Sequence, residues 1–340
     1  MLVAGGTGGH ILPALALSSE LMSAGHEVTW LGRRTGMEAE LVPAAGLAFE
    51  TVPAARLPGR RVWRWPGWWF RFGRAVLRAL SVFRRLEPDA VVAAGGYVSA
   101  APLAAALLSR RPFFLLEQNR IPGRVTRLFG RWARRVFLGF PTVRPMRGRC
   151  EPVGNPLRGE IARNGREDDG RTVLVLGGSQ GARALSLAAV DTAASLSSLN
   201  FIVVTGTRDH ALVRSRVRSN NCRLVEFTDR PDELYRQATI AIARAGGMVL
   251  SELVAFGIPA ILVPYPHATD KHQDANAHYL ASGGAAITLD QHRLSGLTSL
   301  VRQLMDDRDR REEMSRAARE MARTDAAGTI AERMEACLAG

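Results

Sequence analysis

The chain has 340 residues, 46% of them apolar and 23% charged, which excludes a disordered or fibrous protein and makes two domains the default. Three scattered cysteines, Cys150, Cys222 and Cys337, give neither zinc-ligand spacing nor a disulfide framework, so a cytoplasmic protein is expected. The net charge of +13 is lopsided: residues 1–155 hold 22 Arg against 9 acidic residues and all six tryptophans, while the remainder balances at 23 of each sign.

The first part is therefore expected to face something anionic. No basic, apolar leader opens the chain, so no signal peptide is expected. Ala90 to Ser109 is uncharged and long, but Gly95-Gly96, Pro102 and its many alanines read as strand, turn and buried helix rather than a membrane span.

In chain order, Leu2-Val3-Ala4 predicts a short strand that runs into Gly5-Gly6-Thr7-Gly8-Gly9-His10. A helix is expected over Ile11–Ala24, with Pro13 in its first turn and Gly25 ending it. A strand over Glu27–Leu31 closes this first β–turn–α–β unit and opens a doubly wound sheet. The spacing is not GxGxxG, so the loop reads as a backbone seat for a phosphate with an imidazole at its far edge. Arg56 to Phe72 mixes arginine with Trp63, Trp65, Trp68 and Trp69 and holds no acidic residue. A helix is expected from Trp68 onward, with Arg71, Arg74, Arg78 and Arg85 on one face and Phe72, Val76, Leu80 and Phe83 on another. Aromatics interleaved with arginine suit an anionic bilayer surface; nucleic acid competes for the same charge, and a solvated basic helix accounts for one face of it.

Next come a strand at Ala90–Ala93, Gly95-Gly96-Tyr97-Val98-Ser99, a helix to Leu108, and a strand Phe113–Leu116 ending in Glu117-Gln118-Asn119. A helix over Gly123–Ala133 and a strand over Arg135–Leu138 complete the half, and Val153 to Arg158 begins the crossover. Residues 164–171 read as a linker. The second half repeats the pattern: strand Thr172–Leu176, Gly177-Gly178-Ser179-Gln180-Gly181-Ala182, and a helix to about Leu196. Strands at Phe201–Val204 and Arg223–Phe227 precede the stretch Thr239–Asn276, read as strand, Gly246-Gly247 turn, helix stopped by Gly257, strand, and a polar loop bearing His267, Asp270, His272, Gln273 and Asn276. Paired glycines at a helix start admit a phosphate to its N-terminus, and Ser251 and Glu252 lie one turn in, within reach of a sugar or ribose hydroxyl. An ordinary βαβ turn without a ligand fits the same residues. A strand at Ala285–Leu289 and helices at Leu294–Met305, Arg310–Ala322 and Ala327–Leu338 end the chain. The predicted class is α/β: two doubly wound parallel sheets facing across a cleft, with ligands at the carboxyl ends of the strands.

Seven motifs, in register over nearly the whole chain, resemble the MurG family of N-acetylglucosaminyltransferases: GGTGGH at Gly5–His10, GGYVS at Gly95–Ser99, EQN at Glu117–Asn119, GNPLR at Gly154–Arg158, GGSQGA at Gly177–Ala182, RAGGMVLSE at Arg244–Glu252 and HQDAN at His272–Asn276. The resemblance implies a GT-B fold, with an acceptor and membrane-associating domain over 1–155, a UDP-GlcNAc domain over 156–325, and a C-terminal helix, 326–340, packing back on the first domain. It implies transfer of GlcNAc from UDP-GlcNAc to undecaprenyl-diphospho-MurNAc-pentapeptide. Thr7, Gly8 and Gly9 would meet the donor diphosphate and sugar, with His10 near the reacting hydroxyl. Asn119, Arg158 and Ser179 would complete the donor site. Phe227-Thr228 would hold uracil, Gly247, Met248, Val249, Leu250 and Ser251 the diphosphate, Glu252 the ribose, and Gln273, with Asn276 close by, the GlcNAc hydroxyls. Trp63, Trp65, Trp68, Trp69, Arg71 and Arg74 would form the membrane surface of a peripheral protein on the cytoplasmic face. Anionic lipids, cell-wall and division proteins are the implied partners. The first strand lacks leading residues usual in the family, and Gly247-Met248 replaces a smaller or more polar pair found in some relatives.

Inverting transfer needs a general base and a clamp on the departing UDP. Helix dipoles and loop amides supply the clamp, and no Asp-x-Asp motif is present, so no metal or other cofactor is expected; UDP-GlcNAc is a substrate. His267 and His272 read as solvated or hydrogen-bonded. His10 suits the base but also suits a structural loop cap, and Glu117 is a second candidate. Another GT-B glycolipid transferase or a UDP-GlcNAc 2-epimerase-like enzyme is the nearest alternative, although an epimerase has no use for the Trp–Arg stretch. A nucleic-acid-binding protein is disfavoured by the neutral second half and the two glycine loops.

Overall fold

The computed structural model describes residues 1–54, 65–159, 161, 166–178 and 181–339. Trp63, Ser179 and most of the basic stretch before Trp65 lie outside them. The chain divides into two compact units: Met1–Arg158 with Asp325–Gly340, and Gly159–Thr324.

The first unit holds a parallel sheet of seven strands: β1 (Leu2–Val3), β2 (Thr29–Gly32), β3 (Ala48–Thr51), β4 (Val91–Ala93), β5 (Phe113–Glu117), β6 (Arg135–Leu138) and β7 (Cys150–Pro152), in the order β3-β2-β1-β4-β5-β6-β7. Its inner strands are continuous apolar runs because helices cover both faces. One layer buries Val91, Phe113 and Val136 against Ala75, Ala79 and Phe83; the other buries Leu2, Phe114 and Phe137 against Ile11, Leu17 and Ile330. The helices are α1 (Gly8–Ser23), α2 (Glu38–Ala44), α3 (Trp65–Leu86), α4 (Ala100–Leu108) and α5 (Arg124–Phe129).

The second unit has six parallel strands, β8 (Thr172–Leu176), β9 (Asn200–Val204), β10 (Cys222–Val225), β11 (Ile240–Ala243), β12 (Ala260–Leu262) and β13 (Ala286–Thr288), in the order β10-β9-β8-β11-β12-β13. Helices α6 (Arg183–Ser195), α7 (His210–Arg214), α8 (Pro231–Gln237), α9 (Gly247–Ala255), α10 (His272–Ser282), α11 (Leu297–Asp306) and α12 (Arg308–Met321) surround it. Helix α13 (Ala326–Ala339) returns to the first unit, where Ile330, Ala331 and Met334 enter the core beside α1.

In both sheets the chain order reverses at one point: between β1 and β4 in the first unit, and between β8 and β11 in the second. Crossovers leave toward opposite faces there and open a crevice beyond the strand ends. The described residues of all four glycine turns read from the sequence sit at these points: Gly5–Gly9 after β1, Gly95-Gly96 after β4, Gly177-Gly178 after β8 and Gly246-Gly247 after β11.

Some elements differ from expectation. Helix α1 starts three residues early and takes Gly8, Gly9 and His10 into its first turn. Helix α3 begins at Trp65 rather than Trp68. The helix expected over Gly123–Ala133 ends at Phe129 and continues as a 3-10 turn, Gly130–Trp132. The polar loop bearing Gln273 and Asn276 is the start of α10, whose polar residues gave no apolar stripe to read. Gly257 does end α9, with φ +62° that a side chain would strain.

Candidate active site

In the first unit, Thr7 precedes α1 in an extended conformation, and no side chain caps that helix end. Its hydroxyl lies 3.3 Å from Nδ1 of His10, and its carbonyl accepts the His10 N–H. The imidazole packs under the Gly95-Gly96 turn, where both residues have positive φ; a Cβ on Gly95 would lie 3.3 Å from His10 Cδ2, so glycine is needed for conformation and for space. Gly8 is buried and Gly9 exposed at the mouth of the loop.

Glu117 is buried, with Oε1 accepting the Asn119 N–H at 3.1 Å and Oε2 accepting the Gly123 N–H at 2.8 Å. Burial pushes its pKa above the ordinary carboxylate value, against the pull of these donors. Instead of presenting a base, Glu117 anchors the turn that carries half-buried Asn119 into α5. Asn155, buried beside Gly139, donates to the Gln118 carbonyl from the same cluster, and Arg158 lies half-buried where the unit ends.

In the second unit, Gly246 opens α9, again with no side-chain cap and no acidic residue in the first turn. That leaves an amide-rich, positively poled helix end at the switch point. Gly247 and Met248 are buried and Val249 half-buried along this turn. Leu250 is a correction: its side chain lies in the core and its N–H is held by the Gly246 carbonyl, so it offers nothing to an anion. Ser251 and Glu252 are nearly buried, and Glu252 Oε2 accepts from the Tyr235 hydroxyl at 2.6 Å. Gln273 Oε1 accepts the Tyr265 N–H at 2.9 Å, which orients its amide nitrogen. Asn276, one turn on from Gln273, is buried and donates to the Ala245 carbonyl at 3.0 Å, bracing the glycine turn. Thr228 stands apart, beyond edge strand β10, its hydroxyl accepting from the Arg230 N–H next to exposed Phe227. His267 is exposed against Tyr265, and His272 Nδ1 lies 2.8 Å from the Thr269 carbonyl.

Sequence reasoning missed several residues. Arg244 is buried, donates to the Val263 and Pro264 carbonyls at 3.0 and 3.2 Å and to Gln291 at 2.5 Å, and fixes the start of the segment leading to Gln273. Burial lowers its pKa. Glu38 and Tyr235 were missed because each acts on a residue remote in sequence.

The aromatic surface needs one revision. Trp68 is only 7% exposed, stacked on Phe72 at 4.9 Å and edge-on to Trp69 at 4.7 Å, so it is core and not surface. Trp65 is half-buried, whereas Trp69, Phe70 and Leu77 are exposed on the outer side of α3, as Leu108 is on neighbouring α4. Arg71 and Arg74 are exposed with them, while Arg78 and Arg85 are drawn to Glu50 at 3.3 and 2.6 Å. Among the described residues, no helix is long and apolar enough to cross a membrane.

Comparison with known proteins agrees with this geometry. Residues 1–138 match the glycosyltransferase family 28 N-terminal domain and residues 172–330 its C-terminal domain. A protein of Methylococcus capsulatus, named UDP-N-acetylglucosamine--N-acetylmuramyl-(pentapeptide) pyrophosphoryl-undecaprenol N-acetylglucosamine transferase, is 41% identical over 97% of this chain and 96% of its own. A relative of the same name from Nitrosococcus oceani is 40% identical over 98% and 97%. The crystal structure of MurG from Acinetobacter baumannii matches with a TM-score of 0.81 at 28% identity, covering 98% of both chains. The kitacinnamycin glycosyltransferase structure, at 18% identity and a TM-score of 0.76, speaks for the fold alone. The chain belongs to glycosyltransferase family 28, among its MurG-type N-acetylglucosamine transferases of GT-B fold.

Proposed function

We propose that the protein transfers GlcNAc from UDP-GlcNAc to the C4 hydroxyl of MurNAc in undecaprenyl-diphospho-MurNAc-pentapeptide, with inversion, at the cytoplasmic face of the membrane. The observation that carries this reading is the glycine-opened N-terminus of α9, with no acidic residue in its first turn, at the switch point of the second unit, in a chain whose near-full-length relatives bear that name. In the proposed reaction His10 takes the C4 hydroxyl proton, the oxygen attacks C1 of GlcNAc, and the C1–O bond to the diphosphate breaks. The amides and dipole of α9 meet the charge that develops on UDP, so the reading needs neither metal nor other cofactor. Tyr235 holds Glu252 for the ribose, and Gln273 offers its amide nitrogen to a sugar hydroxyl.

Acceptor lipid and an anionic bilayer are the proposed partners of the first unit. Phe70, Leu77 and Arg74 fall on one stripe of α3 with Trp69 beside them, an apolar face rimmed by arginine that suits an interfacial helix. Cell-wall and division proteins are partners that this location would permit.

UDP release from UDP-GlcNAc, measured with and without a soluble lipid I analogue, tests the reading. Release that depends on the analogue and yields the β-linked disaccharide is expected. Acceptor-independent conversion of UDP-GlcNAc would favour an epimerase-like enzyme, and release with other glycolipids alone would favour a different GT-B transferase.

A further inference from the structure

At the glycine loop of the first unit, one carboxylate absent from the motif set is fully buried. Glu38, in the first turn of α2, is 0% exposed and fills the space beside Gly5 and Gly36, where a methyl group would overlap its oxygens. Its Oε2 accepts the Gly6 N–H at 3.4 Å, and Oε1 accepts from Arg33 Nε at 2.8 Å and from the Arg33 N–H at 3.4 Å. Arg33 Nη1 in turn donates to the Tyr97 hydroxyl at 2.7 Å. Tyr97 follows directly on Gly95-Gly96, the turn that covers the His10 ring, and Gly96 lies so close to Gly5 that a Cβ would come within 3.1 Å of the Gly5 carbonyl.

A buried carboxylate is costly unless paired and hydrogen-bonded. Here the pairing ties together three segments remote in sequence: the loop after β1, the end of β2 and the turn after β4. The walls of the imidazole seat belong to two of them. We propose that Glu38, through Arg33 and Tyr97, is a positioning residue that sets the seat of His10. The proposal rests on the reading of His10 as the base. Without the carboxylate, Arg33 loses its partner and the Gly6 and Gly96 loops are free to shift relative to each other. A displacement of about 1 Å in a reacting group is enough to cost on the order of a hundredfold in rate.

The test compares Glu38→Gln, His10→Ala, the double variant and Tyr97→Phe, using UDP-GlcNAc and a soluble lipid I analogue. Glu38→Gln is expected to lower kcat by about tenfold or more, with the KM for UDP-GlcNAc within about twofold, and to displace the acid limb of the kcat–pH profile. On the His10→Ala background the same change is expected to cost less than about twofold, because a residue acting through His10 has nothing left to position. Tyr97→Phe, which removes a single hydroxyl, is expected to act in the same direction and carries the test if Glu38→Gln does not fold. Equal losses on both backgrounds, or full kcat in a folded Glu38→Gln protein, would overturn the proposal alone. Full kcat in His10→Ala would overturn the base assignment and the proposal with it.

Discussion

His10 and Glu117, both read from the sequence as candidate bases, sit in different surroundings. His10 has a half-exposed ring at an open loop, while Glu117 is enclosed with both oxygens engaged by backbone N–H groups. Removing a general base is expected to lower kcat by about 10²–10⁴, so with His10 as the proposed base, His10→Ala in steady-state assays should lose turnover far more than it raises the UDP-GlcNAc KM. Comparable changes in both would return His10 to a structural role. Glu38 adds a pH dependence. Burial pushes its pKa up, but the hydrogen bond and charge of Arg33 and the Gly6 N–H outweigh that, and the net value lies below the ordinary 4.5. A carboxylate depressed on folding contributes stability that is present above its unfolded pKa and is lost as pH falls through the folded one. Urea midpoints of the wild type are therefore expected to drop more steeply below about pH 4.5 than those of Glu38→Gln. Parallel curves would mean that Glu38 contributes nothing to acid sensitivity. Nothing in the sequence flags this residue, since Gly6, whose N–H it accepts, and Tyr97, which it reaches through Arg33, are 32 and 59 positions away.

At the scale of elements, the strands and their glycine turns were legible because apolar runs ending in Gly-Gly are the local signature of buried parallel strands. What periodicity did not resolve was which aromatic of a crowded helix points inward. Helix α3 settles that by rotation: Trp68, Phe72, Ala75, Val76, Ala79 and Phe83 line the inner side, and Trp69, Phe70 and Leu77 the outer. Leu77 and Leu108 escaped notice because neither belongs to the tryptophan cluster. Changing both Trp69 and Phe70 to Ser is expected to weaken binding to anionic vesicles while leaving kcat on a soluble acceptor unchanged; unaltered vesicle binding would remove this face from the membrane surface. Trp68→Ala is expected to behave as a core truncation, costing about 3–5 kcal/mol of stability. At the other end of the chain, α13 is held mainly by burial. Ile330→Ala is expected to cost about 2–4 kcal/mol, whereas Glu335→Ala, which breaks an exposed pair with His26, should cost less than about 1 kcal/mol in the same denaturation experiment.

The whole molecule repeats one solution twice, a doubly wound sheet with glycine turns at its switch point, and divides its charge unevenly between the two. The first unit carries nearly the entire positive surplus, which suits an acceptor presented by an anionic surface but would bind UDP indiscriminately if electrostatics alone chose the donor site. The second unit is nearly neutral, so the hold on a nucleotide diphosphate proposed for it rests on oriented groups rather than net charge: the α9 N-terminus, Glu252 braced by Tyr235, and Gln273 braced by Tyr265. Oriented dipoles act within the first helical turn, and that makes the donor site local and testable. A ligand that binds only the native state stabilises it by about 2.7 kcal/mol at a hundred times its Kd, which corresponds to roughly 5–10 °C in a unit of this size. UDP at that concentration is expected to raise the melting transition by such an amount. It is also expected to slow amide exchange around Gly177–Ala182 and Gly247–Glu252 while exchange in β4 and β5 stays unchanged. Protection appearing first at Gly5–His10, with none at Gly247–Glu252, would assign the donor to the first unit and reverse the division of labour proposed here.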